Sequence, residues 1–432
     1  MPPILAFAMP LFALWVDTCR FDLNTPRNHA RIGGSAMLIS PTPVASAAFP
    51  ALVVRNDVLL RSIAPAVWNA LTDGQPFLAH AFLDALHATG CASPATGWTE
   101  RTLTAWRGST LVGAMPLYAK THSFGEYVFD WGWAEAYRRH GRRYYPKLLS
   151  AIPFTPVPGP RALAADAPTR EALYRHAVAL VEAGEFSSLH VLFPPAHDLA
   201  AGRNLGMITR EGVQFHWSNP GYRDFTDFLG AFAHAKRKKV KQERRRLAES
   251  GVTFERKRGT AITAADWAFF YQCYESTYRA HHSTPYLTPA FFTQIGATMP
   301  ANVLLVIGSR DGRRLCAALD IHDHTTLWGR YWGTTEYVPG LHFEACYYQA
   351  IEFCIEQGIR RFEGGAQGLH KLSRGLLPVA THSLHAVADP DFAAAIADFC
   401  ARERVDVAHS LEELAESSPF RATAPRNPAD PV

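Results

Sequence analysis

Residues 325–363 constrain the fold more than any other part of the chain. Residues 325–332 (TTLWGRYW) are rich in β-branched and aromatic side chains and read as a strand. A break follows at Pro339-Gly340. Residues 341–357 then place Phe343, Tyr347, Ala350 and Cys354 on one face at helical spacing, and Gly358 supplies a C-terminal cap. Residues 359–363 (IRRFE) return as a strand that runs into Gly364-Gly365. A strand, a helix and a strand in that order, with an apolar helix face to bury, require a helix packed on a sheet.

The rest of the chain repeats the theme. Residues 103–106 and 111–117 read as two strands about a turn at Gly108, 170–184 as a helix and 188–193 as a strand. Between them, 151–161 (AIPFTPVPGPR) holds four prolines and must be a stiff, extended loop. A second unit opens near Gln214. It predicts a helix over 224–247, a strand over 252–257 and helices over 266–279 and 289–296. Strands at 303–309, 314–321 and 325–332 follow, with turns at 308–312 and 322–324, and 386–401 resumes strand and helix. Both units mix helices with mostly antiparallel strands. The fold class is therefore α/β (α+β), with two related modules at 50–213 and 214–415. Residues 416–432 read as a disordered tail. Residues 1–49 read as a poorly ordered extension, with Met37 an alternative start. The apolar run 4–16 has no Lys or Arg before it and lies about thirty residues from Ala45-Ser46-Ala47, which does not suit a secretion signal.

Charge is unevenly placed. Eight of the eleven residues from Lys236 to Arg246 are Lys or Arg. From His234 to Arg258 eleven Lys/Arg face three Glu, in a chain whose net charge is only +4, so the remainder is net acidic. That favours a local anionic contact and argues against DNA binding as the protein's role. Seven cysteines show no CxxC pair and no zinc spacing, which points to a reduced, cytoplasmic protein without a structural metal. His322 and His324, with Asp320 and Asp323, read as hairpin-turn residues rather than metal ligands. No stretch is long and apolar enough for a transmembrane helix; a peripheral membrane contact is left open.

Four segments together resemble a known family: GEYVFD (125–130), FTPVPGPR (154–161), the basic run ending in Gly251-Val252, and 329–371 (GRYWGTTEYVPGLHFEACYYQAIEFCIEQGIRRFEGGAQGLHK). They are similar to the bacterial FemAB-like group of the GNAT superfamily of acyltransferases, often labelled peptidoglycan biosynthesis or recognition proteins, over roughly 52–420. The resemblance implies two tandem GNAT-like modules, each a mostly antiparallel mixed sheet flanked by helices. It implies transfer of an acyl or aminoacyl group from acyl-CoA or aminoacyl-tRNA to a small-molecule or peptide amine, in cell-wall precursor metabolism, with tRNA as a partner in the second case. The alternative is a non-catalytic GNAT-fold protein that recognises such a precursor. Leu369 stands where the group usually has Glu, and Gly364 where it has Ala.

The resemblance also directs attention to particular residues. GNAT folds seat donor phosphates at the N-terminus of the helix after a central strand, where free N–H groups and the helix dipole favour an anion. Here that means Gly340, Leu341 and His342. In the loop after Glu363, Gly365 and Gly368 allow close backbone approach, and Lys371 and Arg374 can hold a phosphate or carboxylate. Lys238, Lys241 and Arg245 on the basic stretch extend the donor side. Glu363 or His370 can take a proton from an attacking amine, with Glu344 a further candidate, and Tyr331 can protonate the leaving group. Glu126, Asp130, Trp131 and Arg161 in the first module form the expected acceptor side. There is no GxSxG motif and no Cys–His pairing, so a covalent acyl-enzyme is not expected.

Overall fold

A computed structural model describes residues 50–365 and 368–421. The extension 1–49 and residues 422–432 of the tail lie outside the described residues. The strands of the first half are β1 (Leu52–Arg55), β2 (Trp98–Glu100), β3 (Leu103–Arg107), β4 (Thr110–Met115), β5 (Tyr118–Lys120), β6 (Lys147–Ser150), β7 (Leu163–Ala164) and β8 (Ser188–Leu192). Those that follow are β9 (Ile208–Ser218), β10 (Thr253–Arg258), β11 (Val303–Arg310), β12 (Arg313–His322), β13 (Thr326–Thr334), β14 (Arg361–Glu363) and β15 (Leu377–Val387). The main helices are α1 (His80–Ala88), α2 (Trp131–Arg139), α3 (Ala167–Glu182), α4 (Ala196–Asn204), α5 (Phe225–Gly230), α6 (His234–Glu249), α7 (Ala264–Ala280) and α8 (Pro289–Thr298). The last two are α9 (341–357), whose middle turn Glu344–Tyr348 is a π-helix, and α10 (Pro390–Glu416).

The expected α/β class holds. One eleven-stranded sheet in the order β10-β11-β12-β13-β14-β9-β15-β8-β6-β5-β2 crosses the molecule, and a four-stranded sheet, β1-β3-β4-β7, flanks its first half. Among the described strand pairs of the large sheet only β13/β14 and β6/β8 are parallel, and each of those pairs is joined by a segment that carries a helix, α9 or α3. The strands that follow these pairs are exchanged. β9 follows β8 in sequence but pairs with β14, and β15 follows β14 but pairs with β8. β9 and β15 then pair with each other antiparallel. A division at 213/214 passes through the middle of β9, between residues paired to Ala380 and Val379.

Two cores cover the faces of the second half. On one face Val303, Leu305, Ile307, Leu319 and Trp328 meet Phe270, Tyr274, Phe291 and Phe292 of α7 and α8. On the other Leu304, Val306, Ala318, Leu327 and Phe362 meet Tyr347, Ala350, Ile351 and Cys354 of α9. The period of two along each strand distributes these residues between the faces.

The helix expected over 224–247 is broken into α5 and α6. Residues 419–421, placed in the disordered tail from sequence, are the reason. Ala233 N–H donates to the Pro419 carbonyl and Arg421 N–H to the Ala231 carbonyl, each at 2.9 Å. Those groups are therefore bonded outside the helix. Phe420 packs on Phe228 and Phe232. α6 then ends where the sequence places its stop, at Gly251, whose φ of 78° suits glycine.

Candidate active site

β13 and β14 pair over three couples only, Thr326–Arg361, Leu327–Phe362 and Trp328–Glu363. Beyond Trp328 they part. β13 continues along β12 to Thr334. The chain after β14 turns onto β9, where Gly364 N–H donates to the Phe215 carbonyl at 3.0 Å and Phe215 N–H to the Gly365 carbonyl at 3.2 Å. A β-bulge at Leu319/Asp320 admits Arg330 as an extra residue and turns β13 further aside. A Cβ on Gly364 would meet Leu376 Cδ2 at 2.5 Å, so the alanine usual in the resembling group would need Leu376 to move.

Glu363 stands at this fork. It alternates with Phe362, so its side chain lies on the face opposite α9, next to Trp328. The carboxyl is only 5% exposed, and its Oε2 has no hydrogen-bond partner. Oε1 lies 3.7 Å from Arg361 Nη1. Burial raises the carboxyl to about 7, against the pull of Arg361, the Trp328 indole N–H and Arg330. The buried Trp328 indole N–H faces this carboxyl, outside close hydrogen-bond geometry. His216, opposite Glu363 on β9, is held neutral by burial and by nearby Arg361 and Lys371.

The N-terminus of α9 lies on the other face. Gly340 is its N-cap, with φ 85°, and no side chain caps it. His342 stacks on Trp332 with ring centroids 4.4 Å apart. His370 accepts or donates at Nε2 to the Tyr347 hydroxyl at 3.0 Å, and its ring is 5.7 Å from His342. Burial, then Lys371 and Arg374, lower His370 to about 4. It is a weaker base than Glu363. Lys371 Nζ donates to the Gly365 carbonyl at 3.2 Å, and burial lowers the amine to about 8. Arg374 lies against the Phe343 ring and donates to Glu243 Oε2 at 3.0 Å and to the His370 carbonyl at 2.7 Å. The sequence candidates Gly340, Leu341, His342, Gly365, Gly368, His370, Lys371 and Arg374 thus belong to one region, where a turn at Leu369–Arg374 meets the start of α9. Leu369 itself is 53% exposed, so the departure there removes a surface charge, not a buried carboxylate.

Three candidates have structural employment instead. Glu344 is buried and bidentate with Arg244 of α6, Oε1 to Nη2 at 2.6 Å and Oε2 to Nε at 2.9 Å. It also accepts from Gln349 at 2.9 Å, so it has no free oxygen for proton transfer. The Tyr331 hydroxyl donates to the Phe154 carbonyl at 3.2 Å, and the ring packs on Tyr274 and Phe292. Arg161 is fully buried and donates to the carbonyls of Leu192, Gly159 and Val157 at 2.7, 2.9 and 2.6 Å. It staples the proline loop and presents nothing to an acceptor.

Glu126 and Asp130 are also buried. Lys147 Nζ donates to Glu126 Oε2 and Ser123 Oγ, both at 2.8 Å, and to Asp130 Oδ2. The Tyr144 hydroxyl donates to Asp130 at 2.6 Å. Burial raises Glu126 to about 7, while Lys147 outweighs burial at Asp130 and holds it well below the usual range. This knot anchors the 123–130 loop, and Arg138, Arg139, Arg142 and Arg143 point away to solvent. Trp131 remains exposed beside Phe124 at 4.8 Å.

α6 is docked by Arg244, which also reaches Glu352 at 2.6 Å, and by the buried Val240 and Leu247. Lys238, Lys241 and Arg245 face solvent and line a surface cavity of 580 Å³ along the helix, and Lys241 and Arg245 also border a second of 510 Å³. Glu243 ties this helix to Arg374 and to the Tyr348 hydroxyl at 2.8 Å. Sequence reasoning missed Trp328, Arg330, Glu243 and Arg244. Only the first two left a signal, as polar or aromatic neighbours on the strand that forms the fork. Among the described residues there is no cluster of His, Cys, Asp or Glu suited to a metal, and no helix is long and apolar enough to cross a membrane.

No curated protein matches the chain. Among solved structures, that of FemX is 12% identical, with a TM-score of 0.49, covering 75% of this chain and 96% of that one. L-PGS from Bacillus licheniformis is 10% identical, with a TM-score of 0.47, covering 82% and 97%. A tandem GNAT protein from the clavulanic acid biosynthesis pathway is 10% identical, with a TM-score of 0.40, covering 79% and 99%. Residues 59–422 match the family described as peptidoglycan biosynthesis/recognition, and the chain belongs to this FemAB-like family.

Proposed function

We propose that the protein transfers an acyl or aminoacyl group from a phosphate-bearing donor to an amine, within cell-wall precursor metabolism. The fork carries the reading. A buried carboxyl whose protonation is poised near neutrality lies on one face, a cation-lined helix N-terminus lies on the other, and the strands part between them. The donor's phosphate lies near α9, His342, Lys371 and Arg374, and its acyl carbonyl reaches the parted strands. The acceptor amine attacks that carbonyl from the Glu363 side. A C–N bond forms as the C–S or C–O bond to the donor breaks. The amine proton passes to Glu363 and then, directly or through water, to the departing sulfur or ribose oxygen. A base near 7 is well matched to this task at neutral pH. Both donors belong to the cytoplasm, the setting this reading favours.

Donor identity is tested by mass spectrometry of molecules that co-purify with the protein, followed by titration with CoA and with charged tRNA. The exposed cations of α6 favour the longer polyanion. Neutralising Lys238, Lys241 and Arg245 together should weaken tRNA capture and flatten its salt dependence, leaving CoA binding and the melting temperature unchanged. If neither donor binds or is consumed, and Glu363→Gln changes no turnover, the transferase reading fails.

A further inference from the structure

We infer that the acceptor carries a free carboxylate beside its reacting amine, as an α-amino acid or the free end of a diamino acid does, and that Glu363 and Arg330 hold these two groups. The inference rests on the proposed role of Glu363 and adds a substrate class to it.

Both side chains come from strands that border the fork, and both lie on the face away from α9. Trp328 pairs with Glu363, and Arg330 follows two residues on, at the bulge. Arg330 spends only one nitrogen on the protein. Its Nη2 donates to the Phe154 carbonyl at 2.9 Å and lies 3.4 Å from the Tyr331 hydroxyl. Nε and Nη1 have no partner, and no carboxylate lies within ion-pair distance of the guanidinium, among the described residues. Glu363 makes no close hydrogen bond through Oε2, and the Trp328 indole N–H faces its carboxyl, while the half-exposed Arg361 sits by its other oxygen.

The remaining wall is neutral and aromatic. Tyr127, Tyr278, Tyr286 and Tyr331 are half-buried over the core of this face. Tyr127 and Phe154 hold left-handed backbone, with φ 63° and 58°, which bulky residues adopt only where their surroundings enforce it. Phe154 stacks on Tyr286 at 5.0 Å, and its N–H donates to the Gly125 carbonyl at 3.2 Å. Backbone strain is thus built in where the first module's loops meet β13.

A carboxyl and a guanidinium close enough to influence each other, on neighbouring strands of one face, offer charges complementary to an ammonium and a carboxylate. Arg330 also lies over the Phe77 and Tyr331 rings, so a simple amine would leave it with neutral partners alone, and an amide in place of the carboxylate would offer it no charge. The planar guanidinium suits a carboxylate in particular.

The test uses full-length protein and calorimetric titration with L- and D-α-amino acids, meso-diaminopimelate, and the corresponding decarboxylated amines and carboxamides. The zwitterions should bind at least tenfold tighter than the decarboxylated or amidated partners. Arg330→Gln should remove that preference, and Arg330→Lys should restore part of it. Equal binding of amine and amino acid by the wild-type protein would overturn the inference without reliance on any variant. So would an Arg330→Gln protein, melting normally, that kept the preference. Donor consumption, followed separately, keeps the two readings apart. Transfer without carboxylate discrimination sinks this inference alone, whereas carboxylate-selective binding without transfer keeps the amine-and-carboxylate site as a binding site and sinks the catalytic reading.

Discussion

Glu363 makes two opposed predictions because one cause, burial, sets both. Its carboxyl sits at about 7, and an ordinary glutamate at about 4.5. Between those values the folded state holds a proton that the unfolded state has lost. The stability linked to this group is therefore fully present below about 4.5 and is lost as pH rises through about 7. Glu363→Gln cannot ionise, so it should melt above wild type at pH 8, by ~1–3 kcal/mol, and match it near pH 4. The same substitution should cut turnover by about 10²–10⁴-fold and abolish a kcat/KM limb with its midpoint near 7. Thermal melts at the two pH values and a pH–rate profile check both halves; a destabilised Gln variant would show that the carboxylate is needed for folding instead. Glu344 should behave differently. Glu344→Ala leaves Arg244 with Glu352 alone and should cost ~1–3 kcal/mol of stability. Its effect on kcat should be no larger than that of Arg244→Ala, as urea denaturation and kinetics on the pair would show.

At the scale of elements, the joint between α5 and α6 depends on a segment nearly two hundred residues away. Phe420 fills the angle between Phe228 and Phe232, and two backbone bonds flank it. Phe420→Ala should cost ~1–3 kcal/mol, because the ring is only partly buried. Hydrogen exchange should quicken first at the start of α6 and leave α9 unchanged. Equal acceleration of both helices would mean that the segment supports the whole half, not the joint. This contact also shows what the sequence could not disclose. α9, β13 and the glycine-rich end of β14 were legible because their spacing and breaks are local signals. The angle of α6 was not, since its cause lies at the other end of the chain. β9 escaped for another reason. Arg210, Gln214 and His216 are buried there, and polar residues in a strand look like surface until their partners are known. Arg210 finds Glu403 at 2.7 Å, and Gln214 finds the Pro156 carbonyl at 2.8 Å. Among the cations of α6, Arg244 alone meets two glutamates, and no local pattern distinguishes it from its neighbours.

For the whole molecule, the exchange of β9 and β15 decides how the halves depend on each other. A protein cut at 213/214 gives a first fragment whose β8 has lost its partner β15, and whose β9 is severed at mid-length. The second fragment keeps β14 but holds only the latter part of β9 beside it. Each fragment exposes a long sheet edge with unpaired backbone groups, a template for aggregation. A cut placed after Gly206, before β9, is gentler. It leaves β9 whole, with both its partners, β14 and β15, in the second fragment, so the strand pairing of β15 with β8 must be rebuilt between chains, together with the shared cores in which Phe77, Phe82 and Tyr137 meet Trp328, Phe291 and Phe392. Residues 50–206 and 207–421 expressed together should therefore assemble into a 1:1 complex that unfolds in one transition. The pair split at 213/214 should be recovered largely in aggregates. Size-exclusion chromatography with light scattering, followed by a thermal melt, distinguishes the cases. Soluble, independently melting fragments from the 213/214 cut would show that the two halves are separate folding units despite the shared sheet.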